Sequence, residues 1–346
     1  MVRIAANWRP AKGSSMAEEK DKTNVSKTTS IGIDVGGTKT RLVLLDGNLQ
    51  VLEDIKIQTP KIRQEFEEEL TKPVRRFLKR SKEEDFKVSA VGVGFAGTID
   101  HERAAIKSAP NLPDLVGLSF RELLQDLCKC EVAALNDVHA ALYGEIKVGK
   151  AAGCKDVIAI FIGTGIGGAV AIGGKLHFGS SGEAGNIGHY LLHAFGPLAG
   201  SERHGVLDDF ASRLAIAGTA ATFAAKGWAP HLLESVGTDV KNIKSSAFAD
   251  AMRSGDKAVE ELVRSRMQIV GIVLSNIVDF LSPEIIVLGG GVTDAMPELV
   301  CAEVMAGIQA HSTASSLRDL KVVAAKHAGL AVTIGAAKFA LDVKKS

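Results

Sequence analysis

Cysteine is scarce in this chain: Cys128, Cys130, Cys154 and Cys301 are the four. Only the first two stand close together, so there is no disulfide framework, and free thiols fit a reducing compartment. Cys128-Lys129-Cys130 lacks the second cysteine pair that would complete a thiolate zinc site, and reads as ordinary partly buried thiols. Neither sign of charge is in excess. A net charge of +1 leaves no footprint for nucleic acid or a membrane surface. No apolar run is long enough to span a bilayer. The most apolar stretch, 258–281, carries Glu260, Glu261, Arg264, Arg266 and Asp279 and reads as a buried helix. The first thirty residues lack the apolar run of a signal peptide. Arg3, Arg9 and Lys12 without nearby acids faintly resemble a transit peptide. The reading preferred is a disordered polar leader over 1–29, with a second start at Met16, on a cytoplasmic protein.

What is present points to two domains. A length of 346 residues exceeds one usual domain, and 46% hydrophobic against 23% charged residues gives a sizeable core. The 36 glycines mark tight backbone turns as functionally important. Strands are expected over 30–35, 40–45 and 51–57, turning at Gly36-Gly37 and Asp46-Gly47-Asn48. Phe66, Leu70, Val74 and Phe77 recur at helical spacing over 62–80, and Pro73 should kink or divide that helix. A buried strand at 88–95, a helix at 120–128 and a strand at 132–135 follow. A second set comprises a helix at 137–147, a strand at 157–162, a glycine turn at 163–168 and a returning strand at 169–172. Alanine-rich helices run through 210–225. After the long apolar helix come a strand at 285–288, the triplet Gly289-Gly290-Gly291, a strand at 321–325 and a helix at 330–341. Each half opens on a strand, a glycine turn holding a threonine, and a returning strand. That repeat predicts duplicated α/β domains facing each other across a cleft: 30–136, then 137–329, with a last helix at about 330–346 packing back on the first.

Three glycine segments and one Asn-Asp pair carry candidate chemistry. In Asp34-Val35-Gly36-Gly37-Thr38-Lys39, two glycines let backbone N–H groups approach an anion, Thr38 adds a hydroxyl and Lys39 a charge. Asp34, at the strand end, is suited to hold Mg²⁺ through water. An ordinary tight hairpin explains the segment as well. Gly163-Thr164-Gly165-Ile166-Gly167-Gly168 is too glycine-rich for a plain hairpin, since each interior glycine costs roughly 0.5–1 kcal/mol against alanine. Phosphate contact is the natural compensation. The segment is neither a Walker loop nor a Rossmann fingerprint. Gly290 and Gly291 would let a flat base lie against backbone, or simply make a tight strand-to-helix turn. Asn136-Asp137 ends a strand where a helix begins. Asp137 is either a helix N-cap or a carboxylate that accepts a proton from a substrate hydroxyl, and position alone does not decide between them.

These segments occur in a specific order. Asp34 to Lys39, Gly94-Phe95-Ala96-Gly97, Pro110-Asn111-Leu112-Pro113, Asn136-Asp137, the 163–168 glycines, Ala184-Gly185-Asn186-Ile187-Gly188-His189 and Leu288-Gly289-Gly290-Gly291 together resemble the ROK family of sugar kinases and sugar-responsive repressors. The resemblance covers about 31–340. It implies an α/β, two-domain actin-like ATPase fold of the ribonuclease H-like, hexokinase type, closing on ATP and a sugar. It implies Asp137 as base, with Gly97, Asn111, Asn136, Asn186, His189 and Asp208 around the sugar. Gly36, Gly37 and Thr38 and Gly163, Thr164 and Gly165 become the two phosphate loops, and Gly290 and Gly291 part of the adenosine site. Homodimers are common in such a family.

The chain departs from that pattern. Asn186 stands where the family usually has a glutamate, and Asp208 where a second glutamate is usual, so sugar identity is open. No cysteine lies between His189 and Asp208, which rules out a thiolate zinc site there; no zinc is expected. Zinc-free relatives include polyphosphate users, so the donor is also open. The expected function is phosphorylation of a glucose-like or N-acetylhexosamine hydroxyl, with ATP and Mg²⁺. The alternative is a sugar-sensing regulator homologue. Residues 1–30 show no apolar helical period that could supply its helix-turn-helix.

Overall fold

A computed structural model describes residues 28–194, 196, 204–313 and 315–344. The first half holds β1 (Thr28–Val35), β2 (Lys39–Leu45), β3 (Val51–Gln58), α1 (Arg63–Glu83), β4 (Lys87–Phe95), β5 (Thr98–Asp100), β6 (Ala105–Ser108), α2 (Phe120–Cys128) and β7 (Glu131–Asn136). The helix α3 (Asp137–Val148) leads to β8 (Val157–Ile162), β9 (Ile166–Ile172) and β10 (Lys175–His177). Then come α4 (Leu207–Ala211), α5 (Arg213–Ala225), α6 (Pro230–Val236), α7 (Ser245–Arg253), α8 (Lys257–Leu281), β11 (Ile285–Gly289), α9 (Gly290–Ala295), α10 (Pro297–His311), β12 (Lys321–Ala324) and α11 (Ala331–Val343).

Two five-stranded sheets share one plan, β3-β2-β1-β4-β7 and β10-β9-β8-β11-β12. In each, three strands meander antiparallel and two more join in parallel beside the first. The duplication expected from the two glycine hairpins is therefore a repeat of whole sheets. Parallel strands covered on both faces have no solvent side, and β4 and β11 are buried almost throughout.

Alternation along the strands decides what covers each face. Ile31, Ile33, Val91 and Val93 pack with Phe66, Leu70, Val74 and Phe77 of α1. The opposite face carries Gly32 and Gly92, where a Cβ would fall inside the van der Waals envelope of the Thr333 and Ala336 carbonyls of α11. The last helix thus lies directly on the first sheet. On the second sheet, Ile158, Ile160, Ile286 and Leu288 meet the α5, α8 and α10 side chains. Val157, Ala159 and Val287 meet Val138, Leu142 and Ile146 of α3 on the other face. The helix α3 also packs against α11, β4 and β7, so it is wedged between the two sheets.

Three expectations change. The leader does not run to residue 29, because Thr28 and Thr29 already pair with Lys87 and Val88; residues 1–27 lie outside the described residues. Pro73 does not divide its helix: α1 runs unbroken over 21 residues with Pro73 buried inside it. Packing of the Phe66 stripe outweighs the hydrogen bond that proline forfeits. The second glycine turn is also shorter, since Ile166, Gly167 and Gly168 are already strand β9, paired with Ile162, Phe161 and Ile160.

Candidate active site

Five of the strands that pair in parallel end on one cavity of about 840 Å³. Gly37 follows β1, Ala96 follows β4, Asn136 ends β7, Gly163 follows β8 and Gly290 follows β11, and all five line it. Ligands of α/β sheets gather beyond the carboxyl ends of such strands.

Each hairpin tip opens onto this space. At the first, Gly36 N–H donates to Lys39 O at 3.1 Å, and Thr38 is exposed. At the second, Gly163 N–H donates to Gly165 O at 2.8 Å, and Arg213 N–H of α5 donates to Gly163 O at 2.9 Å. Gly37, Thr38, Gly163, Thr164 and Gly165 line the cavity, as does Gly290. Asp34, Gly36, Lys39 and Gly291 do not. Gly291 instead packs toward Ser245, whose Oγ is 3.2 Å from where a Cβ would be.

Not every glycine here serves an anion. A Cβ on Gly167 would lie 2.6 Å from Val138 Cγ2, and one on Gly168 would strike the Gly185 carbonyl oxygen. The strand β9 is bare so that α3 and the 182–189 loop can press against it. Gly290 has φ +84°, and a Cβ there would lie 2.6 Å from Ile162 O. Close backbone approach accounts for that glycine without any base.

Asp137 opens α3 but is not its cap. Asn136 is: its Oδ1 accepts from Val138 N–H at 3.0 Å and His139 N–H at 3.3 Å, and its Nδ2 donates to Gly97 O at 3.2 Å. Asn136 is thereby largely committed to fixing the start of α3 against the turn after β4. Asp137 Oδ1 accepts from Val138 N–H at 2.9 Å, and the carboxylate lines the cavity. Burial pushes the Asp137 carboxyl up to about 6 against the hydrogen bonds that favour its charged form. Burial and the neighbouring Asp137 charge push Asp34 up to about 7, with Arg41 opposing.

Gly97, Asn111, Asn136, Asn186, His189 and Asp208, widely separated in sequence, all line the cavity. Asn186 Nδ2 and His189 Nδ1 stand 3.4 Å apart. Asp208 Oδ1 accepts from Ile166 N–H at 2.5 Å, so this carboxylate braces the start of β9. Burial raises its pKa, offset by that amide and by His189.

Sequence reading missed Lys61, Thr98, His139, Phe161 and Glu183, which also line the cavity. Lys61 Nζ donates to the Gly37 carbonyl, and to Asn111 O at 3.2 Å. His139 is buried between Phe178 and the cleft, and burial pulls it down to about 4, so it is neutral at pH 7. Thr98 and Glu183 had a local signal, because each directly adjoins a recognised motif, Gly94–Gly97 and Ala184–His189.

Comparison with known proteins decides the family. The ROK family profile matches residues 30–343. The chain belongs to the ROK family. A glucokinase from Streptomyces coelicolor is 28% identical over 267 residues, covering 77% of this ROK protein and 82% of the relative. An N-acetylmannosamine kinase from Vibrio cholerae is 30% identical over 264 residues, covering 76% and 84%. The crystal structure of a ROK family glucokinase from Streptomyces griseus in complex with glucose and AMPPNP superposes with a TM-score of 0.79 at 30% identity, covering 91% of this chain and 99% of that one. The paired sheets are accordingly the actin-like ATPase fold. Among the described residues no helix is long and apolar enough to cross a membrane.

Proposed function

We propose that this ROK protein is a sugar kinase that transfers the terminal phosphoryl group of ATP to a hydroxyl of a hexose or N-acetylhexosamine. The observation that carries the reading is Asp137, a carboxylate on the wall of the one cavity onto which both glycine hairpin tips open. The glucokinase and N-acetylmannosamine kinase relatives support the same chemistry and divide on the sugar.

Phosphoryl transfer needs positioning and charge neutralisation more than covalent help. The exposed Thr38 and Thr164 and the flanking Gly37, Gly163 and Gly165 on the cavity wall suit the phosphates, and Gly290 borders the nucleoside end. Asp34, near the end of β1 and behind the cavity wall, would reach Mg²⁺ only through water; burial and the Asp137 charge disfavour its anion, which such a cation would favour. Bound there, Mg²⁺ would neutralise phosphate charge. Asn111, Asn186 and His189 hold the sugar. Asn136 and Asp208 act mainly by fixing α3 and β9, in addition to any hydroxyl they meet. Asp137 takes the proton from the attacking hydroxyl.

A coupled phosphorylation screen of hexoses and N-acetylhexosamines, with ATP and with polyphosphate, tests the reading. A sugar-dependent turnover well above donor hydrolysis is expected. Donor hydrolysis unchanged by every sugar sinks it.

The base must be unprotonated to act. With Asp137 raised to about 6, kcat/KM should fall as pH drops through about 6 and level off above it. A profile flat from pH 5 to 8 contradicts the role assigned to this carboxylate.

A further inference from the structure

Three carboxylates line the cavity, those of Asp137, Glu183 and Asp208. Two are engaged by backbone amides. Asp137 receives Val138 N–H at 2.9 Å, and Asp208 receives Ile166 N–H at 2.5 Å. Glu183 has a different environment. Its Oε1 accepts from Thr98 Oγ1 at 2.8 Å, and among the described residues no backbone amide bonds to it. Thr98 begins β5 in the first half of the molecule, while Glu183 sits in the loop after β10 in the second. The hydrogen bond therefore crosses the cleft.

A tight turn shapes the loop that carries the exposed Glu183. Ala184 N–H donates to Phe178 O at 3.1 Å and closes the turn. Gly182 and Gly185 have φ +87° and +94°, values that side-chain-bearing residues rarely adopt, and they flank the glutamate on both sides. Gly182 also lies against Thr98, whose Cγ2 would be 3.7 Å from a Cβ there. One carboxylate oxygen is thus fixed by a hydroxyl and the other remains as an acceptor on the same wall as Asn186 and His189. A pre-oriented carboxylate oxygen is matched to donors on a polyol, and an O–H···O⁻ bond is roughly twice as strong as a neutral one.

We propose that Glu183, aligned across the cleft by Thr98, accepts hydrogen bonds from the sugar hydroxyls and determines which sugar is taken. This rests on the sugar-kinase reading above. Thr98 is a positioning residue in this arrangement. Its loss should act on sugar recognition through Glu183.

The test uses the full chain and the sugar found in the screen, with its monodeoxy analogues. Glu183→Gln keeps the shape and an acceptor for Thr98, and Glu183→Ala removes both. Loss of a charged hydrogen bond should raise sugar KM by about 10–100-fold in each, with ATP KM unchanged. For one monodeoxy sugar, the wild type and Glu183→Ala should have equal KM, because the contact is absent in both. Thr98→Val should raise sugar KM in the same direction by less. Sugar KM unmoved in Glu183→Gln, or raised alike for the parent sugar and every deoxy analogue, overturns the assignment while leaving the kinase reading intact. A wild-type protein that phosphorylates no sugar overturns both.

Discussion

Asp137→Asn is expected to lower kcat by about 10²–10⁴-fold, the usual contribution of a positioned base, with sugar affinity unchanged. The asparagine can still accept the Val138 N–H that Asp137 Oδ1 now receives at 2.9 Å. The cap of α3 is Asn136, which stays in place. Folding should therefore survive and only the proton acceptor is lost. The inflection near pH 6 should disappear from the residual activity. Steady-state kinetics and sugar titration by calorimetry on the same sample decide the matter. Near-normal turnover would remove Asp137 from the chemistry.

The second large effect is on folding. Gly92→Ala places a methyl group against the Ala336 carbonyl of α11. Its strand β4 is hydrogen-bonded to β1 on one side and β7 on the other, so it has no direction in which to retreat. Overpacking with displacement of a covering helix belongs among the rare substitutions that cost roughly 4 kcal/mol or more. The variant should accumulate poorly in soluble form and unfold at much lower denaturant. Gly218→Ala is the control. It lies in α5 with open space around it, and a helix-interior alanine there should be neutral or stabilising by up to about 1 kcal/mol. Equal stability of the two variants would mean that α11 is not seated as described.

Local signals carried much of this architecture. Alternation around Gly36-Gly37 marks the β1–β2 hairpin, and the Phe66, Leu70, Val74, Phe77 spacing marks α1, because both report on neighbours a few residues away. The close approaches were not legible. Gly32 and Gly92 lie inside the strands expected at 30–35 and 88–95, and the residues they accommodate, Thr333 and Ala336, lie far along the chain. The same holds for the bond from Thr98 to Glu183, and for Val138 against Gly167, where a glycine taken for phosphate chemistry is packing space. At the site, the Asn136-Asp137 pair at the end of β7 was visible. Its division of labour was not, because only coordinates show Asn136 as the cap and leave Asp137 facing the cavity. Pro73 shows local propensity outvoted by burial.

The seating of α11 also has a temporal meaning. The first sheet begins at Thr28, yet the helix that covers one of its faces ends at Val343. A ribosome adding about 5–20 residues per second needs on the order of tens of seconds to make the stretch between them. Until then Val43 and Leu45, which pack with Ile334 and Ala337 in the finished molecule, have only Leu49 and Val148 of that cluster beside them. The part synthesised first is completed last. The nascent chain therefore leaves part of one apolar sheet face uncovered through most of translation.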